Sequence, residues 1–286
     1  MQNPSRADYY SNQPLPVEPS VIPPSPDNPP WGALAATGLW FVSLLFILFV
    51  PLFFLLPYLA TRPEPVTDAA EIAEIAKTDP AAIFLQIAAI LPAHILTLLV
   101  AWLVVSHGRK YSFREMLGWG SGGFRWWHYV AVLAAFMAVA AAVSSVWPEQ
   151  ENDLIRMLRS SRSAVYITAF IATFTAPLVE EVIYRGIVYS AFRKRFGVAA
   201  GFVTATALFA LVHVPQYYPS FSTIFLLTLL SVTLTTIRVR TGNLLPCIIL
   251  HTLFNGLQSL TLIFEPMVRP ETGTPDPVGL IFHLLR

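Results

Sequence analysis

Charge is scarce in this chain. Asp, Glu, Lys and Arg make up 12% of its 286 residues, about half of the roughly 25% usual for a soluble domain. Hydrophobic residues make up 55%, and the mean hydropathy is +0.59, which excludes an ordinary soluble protein. The formal net charge is only +1, so no global field recruits nucleic acid or an acidic partner. Cysteine occurs once, as Cys247. That excludes an internal disulfide and a CxxC metal knuckle, and its apolar surroundings predict a small buried residue. No His-Glu dipeptide occurs, so the HExxH zinc helix is absent. A Gly-x-Ser-x motif is also missing, which disfavours a membrane serine protease. No internal repeat is found, and a transporter built on matched broken helices needs one.

Long apolar runs fill most of what remains. They cover Trp31–Ala60, Ala81–Ser106, His128–Val146, Ser163–Phe196, Val198–Val214, Phe221–Val239 and Leu244–Phe264. Each approaches or exceeds the roughly 20 residues that cross a bilayer core as a helix. Backbone groups in lipid must be paired within their own segment, so the predicted class is an all-α, polytopic transmembrane bundle of seven or eight helices over residues 31–264. The count depends on whether Ser163–Phe196 is one bent span or two helices broken at Pro177. Residues 1–30 are Pro-rich, thinly apolar and weakly charged, and read as a disordered or polyproline-like tail. They lack a basic stretch followed directly by a short apolar core, so the tail is expected to remain in the mature protein. Residues 265–286 read as a C-terminal tail.

Loop charges predict an orientation. Basic clusters lie at Arg109, Lys110, Arg114 and Arg125, at Arg193–Arg195, and at Arg238 and Arg240; the 61–80 loop is acidic. If 163–196 crosses once, all three basic clusters fall on one side. That side should be cytoplasmic, with the N-terminus inside, as expected for a multi-pass protein of the cell membrane.

Three polar constellations interrupt the apolar runs. An ionisable group at membrane depth costs about 2.5–3.5 kcal/mol on insertion scales, so it marks a partner, water or a function. The first, PLVEEVIYRG at 177–186, carries Glu180, Glu181 and Arg185. Glu181 and Arg185 share a helical face at i,i+4 and can neutralise each other. Glu180 points about 100° away, available as a base facing a cavity. The competing reading is a surface glutamate pair at a helix start after Pro177. The second constellation is FALVH at 209–213, and the third is HTLFN at 251–255. His213 alone could be a capping or interfacial residue, and His251 with Asn255 could be interhelical glue.

Together these residue types meet the needs of water-driven amide cleavage. That chemistry requires a base for water, a proton donor for the leaving amine and donors facing the oxyanion. The series EExxxR, FxxxH and HxxxN, in that order on successive apolar helices, resembles the CPBP family (CaaX protease and bacteriocin-processing, or Abi) of intramembrane proteases. This family includes the type II CaaX prenyl endopeptidases. The resemblance covers about residues 163–264. It implies that Glu180 and His213 polarise the attacking water and that His251 and Asn255 stabilise the oxyanion. Glu181 and Arg185 take positions of structural support or secondary catalysis, and Phe209 packs. It also implies a peptide or protein substrate, cut near a C-terminus and lipid-modified in the prenyl endopeptidases.

The family is often labelled metalloprotease, and Glu180, His213 and His251 could make an open three-ligand zinc site. A water held directly by Glu180 and His213 would serve without an ion. A non-enzymatic immunity or binding scaffold of the same fold, or a proton-coupled transporter, are the alternatives in other classes. Straight spans drawn from one face put His213 about 15 residues along its run and His251 about 7 along its own, a depth mismatch of about 12 Å. Of the other histidines, His94 reads as an interhelical hydrogen-bonding residue, and Phe113–Leu117 as a short interfacial helix.

Overall fold

The computed structural model describes residues 23–268. The first 22 residues of the expected N-terminal tail and residues 269–286 of the C-terminal one lie outside the described residues. Seven helices among the described residues are long and apolar enough to cross a membrane. They are α1 (Ala33–Ala60), α2 (Pro80–Ser106), α3 (Trp126–Val146), α4 (Arg162–Phe196), α5 (Val198–Tyr217), α6 (Phe221–Thr241) and α7 (Leu245–Val268).

Pro177 does not divide α4. The helix is continuous for 35 residues, about 52 Å, and it widens to π-helix twice, at Ile171–Thr175 and Val182–Val188. Proline has no N–H to give to the ladder, and the first wide turn lies directly before Ala176–Glu181, where Pro177 occupies the first turn. The motif glutamates therefore sit on a short α segment between two π-turns, a placement common at functional sites. Gly186 lies in the second wide turn, where a Cβ would come 2.9 Å from Leu117 Cδ2. Its missing side chain lets the short helix Phe113–Leu117, capped by Ser112, pack against α4.

Neighbouring segments bond to α4 in and beside its wide turns. Trp31 Nε1 donates to Ile187 O at 3.1 Å, Asn255 Nδ2 to Ala172 O at 2.9 Å, and Ser259 Oγ to Ala169 O at 3.3 Å. His94 Nδ1 lies 2.9 Å from Thr175 Oγ1, the interhelical role expected for it. In lipid such bonds and close packing hold helices together, at about 0.6 kcal/mol each. The outer face is apolar. Phe41, Leu48, Phe53, Leu99, Leu103, Val130 and Leu211 are exposed, a surface suited to acyl chains and not to water.

The three basic clusters meet at one end of the bundle. Asp27 pairs with Arg193 and with Arg238, and Lys194 Nζ donates to Pro29 O. The 107–125 loop reaches the same end: Leu244 N donates to Gly118 O at 2.7 Å and Gly120 N to Asn243 Oδ1 at 3.1 Å. At the other end Thr223 Oγ1 donates to Glu149 and Gln150 N to Ser220 Oγ. This is the threading that a single crossing by α4 requires. Residues 23–30, read from sequence as part of the tail, instead fold onto this basic end, and Trp31 is buried. Cys247 is fully buried, as its neighbours predict.

Candidate active site

The two adjacent glutamates occupy different environments. Glu181 is fully buried, whereas 23% of the Glu180 side chain remains exposed. The rotation between consecutive helical positions accounts for the split. Glu181 Oε1 accepts from Arg185 Nη1 at 2.8 Å and also faces His251 Nδ1 at 2.9 Å. Its second oxygen has no hydrogen-bond partner. The EExxxR pairing expected from i,i+4 spacing is therefore formed, and it is extended by a histidine on α7.

That extension settles the geometry of His251. The carboxylate at Nδ1 favours a proton on that nitrogen, a second-shell orientation of the kind that fixes ring position and tautomer. Nε2 then faces Glu180, 3.8 Å from its Oε2. The ring is 2% exposed. The result is a buried line running Arg185, Glu181, His251, Glu180, with its last member opening toward the exposed part of the site.

Arg185 is held on every side. Nη2 donates to Ser231 Oγ at 2.7 Å and to Ser231 O at 3.1 Å, and Nε donates to Thr235 Oγ1 at 3.3 Å. The guanidinium lies 4.7 Å from the ring centre of Phe209, a cation–π contact. Phe209 is thus more than a spacer in FxxxH: it covers Arg185, and its ring centre is 6.0 Å from that of His251.

His213 lies one helical turn farther along α5. Its Nδ1 is 2.7 Å from Phe209 O, so Nδ1–H donates and Nε2 is left as an acceptor. Its ring stacks near Tyr217. His213 lies four residues, about 6 Å of helix rise, beyond Phe209, whose ring centre is 4.6 Å from that of His213 and 6.0 Å from that of His251. Among the described residues no ion pair joins Glu180 to His213; the histidine nearest to Glu180 is His251. Asn255 projects from α7 one turn beyond His251 and uses one amide N–H on Ala172 O.

Glu180, His213 and His251 are the candidate zinc ligands of the three motifs. Among the described residues no three His, Cys, Asp or Glu side chains converge as a metal site. The trio as arranged does not fit the ion.

Several residues around the site carry no motif. Ser231 and Thr235 fix Arg185, while Tyr184 accepts from Trp40 Nε1 at 3.4 Å and meets Phe209 edge-on. The sequence signal for the first pair was a Ser and a Thr four apart on one face of an apolar run.

Residues 162–257 match the family described as type II CAAX prenyl endopeptidase Rce1-like. The match spans about a third of the chain and contains all three motifs. It is the family group that the motif series resembles. No curated protein and no solved structure shows a match to the chain.

Proposed function

We propose that this protein is an intramembrane endopeptidase that hydrolyses a peptide bond near the C-terminus of its substrate. The substrate class we assign is a peptide whose cysteine carries an isoprenoid, after the family matched by residues 162–257. The basic end of the bundle faces the cytoplasm, and the protein resides in the cell membrane.

The steps follow from the residues. Glu180, the partly exposed carboxylate, takes a proton from water as the water oxygen bonds to the scissile carbonyl carbon. His213 accepts the other water hydrogen at Nε2 and aligns the molecule. The carbonyl π electrons move to oxygen. Nε2–H of protonated His251 and the second amide N–H of Asn255 stabilise that oxyanion. Glu181 stabilises the imidazolium, as a buried carboxylate does in a hydrolytic triad. Glu180 then delivers its proton to the departing amine nitrogen as the C–N bond breaks.

One observation carries this reading: Glu181 bridges Arg185 and His251 and leaves the other ring nitrogen 3.8 Å from Glu180. The test uses purified protein in proteoliposomes and a quenched-fluorescent, farnesylated Cys-aliphatic-aliphatic-X peptide. Wild type cleaves it and His213→Ala does not. Equal cleavage by the two removes the role given to His213.

A further inference from the structure

Arg185 is a permanent cation with no exposed surface. A buried guanidinium requires acceptors for its N–H groups. Glu181 provides one, through Nη1. The others come from α6, a helix that carries none of the three motifs: Ser231 Oγ and Ser231 O on Nη2, and Thr235 Oγ1 on Nε. The hydroxyl directions are consistent. Thr235 Oγ1 donates to Ser231 O at 2.8 Å, so its lone pairs are left for Arg185 Nε and for the Thr206 hydroxyl at 3.4 Å.

Glu181 is anchored less well than its partner. Only Oε1 is engaged, by Arg185 and His251, and Oε2 has no partner. Its orientation therefore depends on where the guanidinium is held. Glu181 and Arg185 lie on the same helix, which is widened between them, so their own pairing does not fix the guanidinium plane. The α6 contacts on Nη2 and Nε, with the Phe209 ring against the guanidinium, do fix it.

We propose that Ser231 and Thr235 are positioning residues for the catalytic histidine, acting through Arg185 and Glu181 on His251. The proposal rests on the hydrolase reading above and adds a fourth helix to the machinery. Neither residue touches substrate. Their effect falls on kcat, because a ring displaced from the oxyanion weakens transition-state contacts and leaves ground-state binding alone.

The experiment compares Ser231→Ala, Ser231→Thr, Thr235→Val and Thr235→Ser in proteoliposomes with the same farnesylated peptide. Rates are normalised to folded protein, and thermal midpoints are measured in detergent. Ser231→Ala and the isosteric Thr235→Val are expected to lower kcat about tenfold to a hundredfold, the scale of a misplacement of about 1 Å, with KM unchanged. Ser231→Thr and Thr235→Ser keep the acceptor oxygen and restore kcat. A purely structural role predicts lower midpoints with unchanged kcat per folded molecule. That result, or a change confined to KM, overturns the proposal while the hydrolase reading stands, provided Glu180→Gln is inactive. No turnover by wild-type protein overturns both.

Discussion

Glu181 and His251 stand 70 positions apart in sequence and meet at 2.9 Å inside the bundle. The carboxylate that turns the imidazole is the same one that neutralises Arg185. Electrostatic support and ring orientation thus pass through a single oxygen atom. Under the proposed mechanism the partly exposed neighbour, Glu180, is the one that meets the reacting water.

Glu181→Gln tests that shared role. The amide keeps an acceptor for Arg185 Nη1 but removes the negative charge that faces both Arg185 and His251 Nδ1. We expect kcat to fall about ten-thousandfold, the loss seen when a triad carboxylate becomes an amide. The buried Arg185 also loses its counter-charge, and breaking a buried pair costs about 3–5 kcal/mol. Thermal unfolding in detergent should show a clear drop in midpoint. An unchanged midpoint with normal turnover would mean the pair is ornamental.

Asn255 has two jobs in this account, one structural and one chemical. Its amide bonds Ala172 O in the first wide turn of α4. Asn255→Ala should lose about 0.6 kcal/mol of stability for that bond and about a hundredfold or more in kcat for the missing oxyanion donor. Thr173→Val breaks only the nearby bond to Ser259 Oγ, so it should lower stability by a similar amount with kcat unchanged.

Much of this arrangement was legible in the sequence, for identifiable reasons. Run length and the absence of charge define the seven spans, because lipid imposes both. The i,i+4 spacing of Glu181 and Arg185 predicts their pairing, and the rotation between Glu180 and Glu181 predicts their separation. Pro177 was ambiguous because proline can either end a helix or be absorbed by a wide turn, and backbone hydrogen bonding decides which. The depth of His213 relative to His251 is not fixed by counting residues from run ends, because each side chain leans along its helix and the count locates only the backbone. Ser231 and Thr235 were missed because a serine and a threonine in a membrane run usually bond only their own helix. Their link to Arg185 exists only once α6 packs beside α4. Composition groups residues 23–30 with the tail, yet Asp27 finds Arg193 and Arg238.

Metal dependence gives a third test. Glu180, His213 and His251 do not converge as an ion site. Protein dialysed against a strong chelator should therefore cleave the peptide at the untreated rate, and added Zn²⁺ should not raise it. Activity lost in chelator and regained with Zn²⁺ would assign the water to a metal.

The loop between α1 and α2 supplies a pH test away from the site. Burial opposes ionisation of Asp79. The Tyr58 hydroxyl, the backbone N–H groups of Ala82 and Ala81 and the Arg62 guanidinium outweigh it, and hold the carboxyl below its ordinary value of 3.8. A depressed carboxylate stabilises the fold fully above its unfolded value and loses that contribution as pH falls through the folded one. Hydrogen exchange at the start of α2 should be slow at pH 5, after correction for intrinsic rates, and should accelerate below about pH 4. Asp79→Asn should abolish that step.

Glu180 bears the most direct test, because the account makes it the base that takes the water proton. Glu180→Gln keeps the size of the side chain and one acceptor oxygen, and removes its charge and its basicity. Cleavage of the farnesylated peptide in proteoliposomes should fall to the level of empty vesicles, while insertion and thermal midpoint match wild type. Turnover by Glu180→Gln at the wild-type rate would contradict the account.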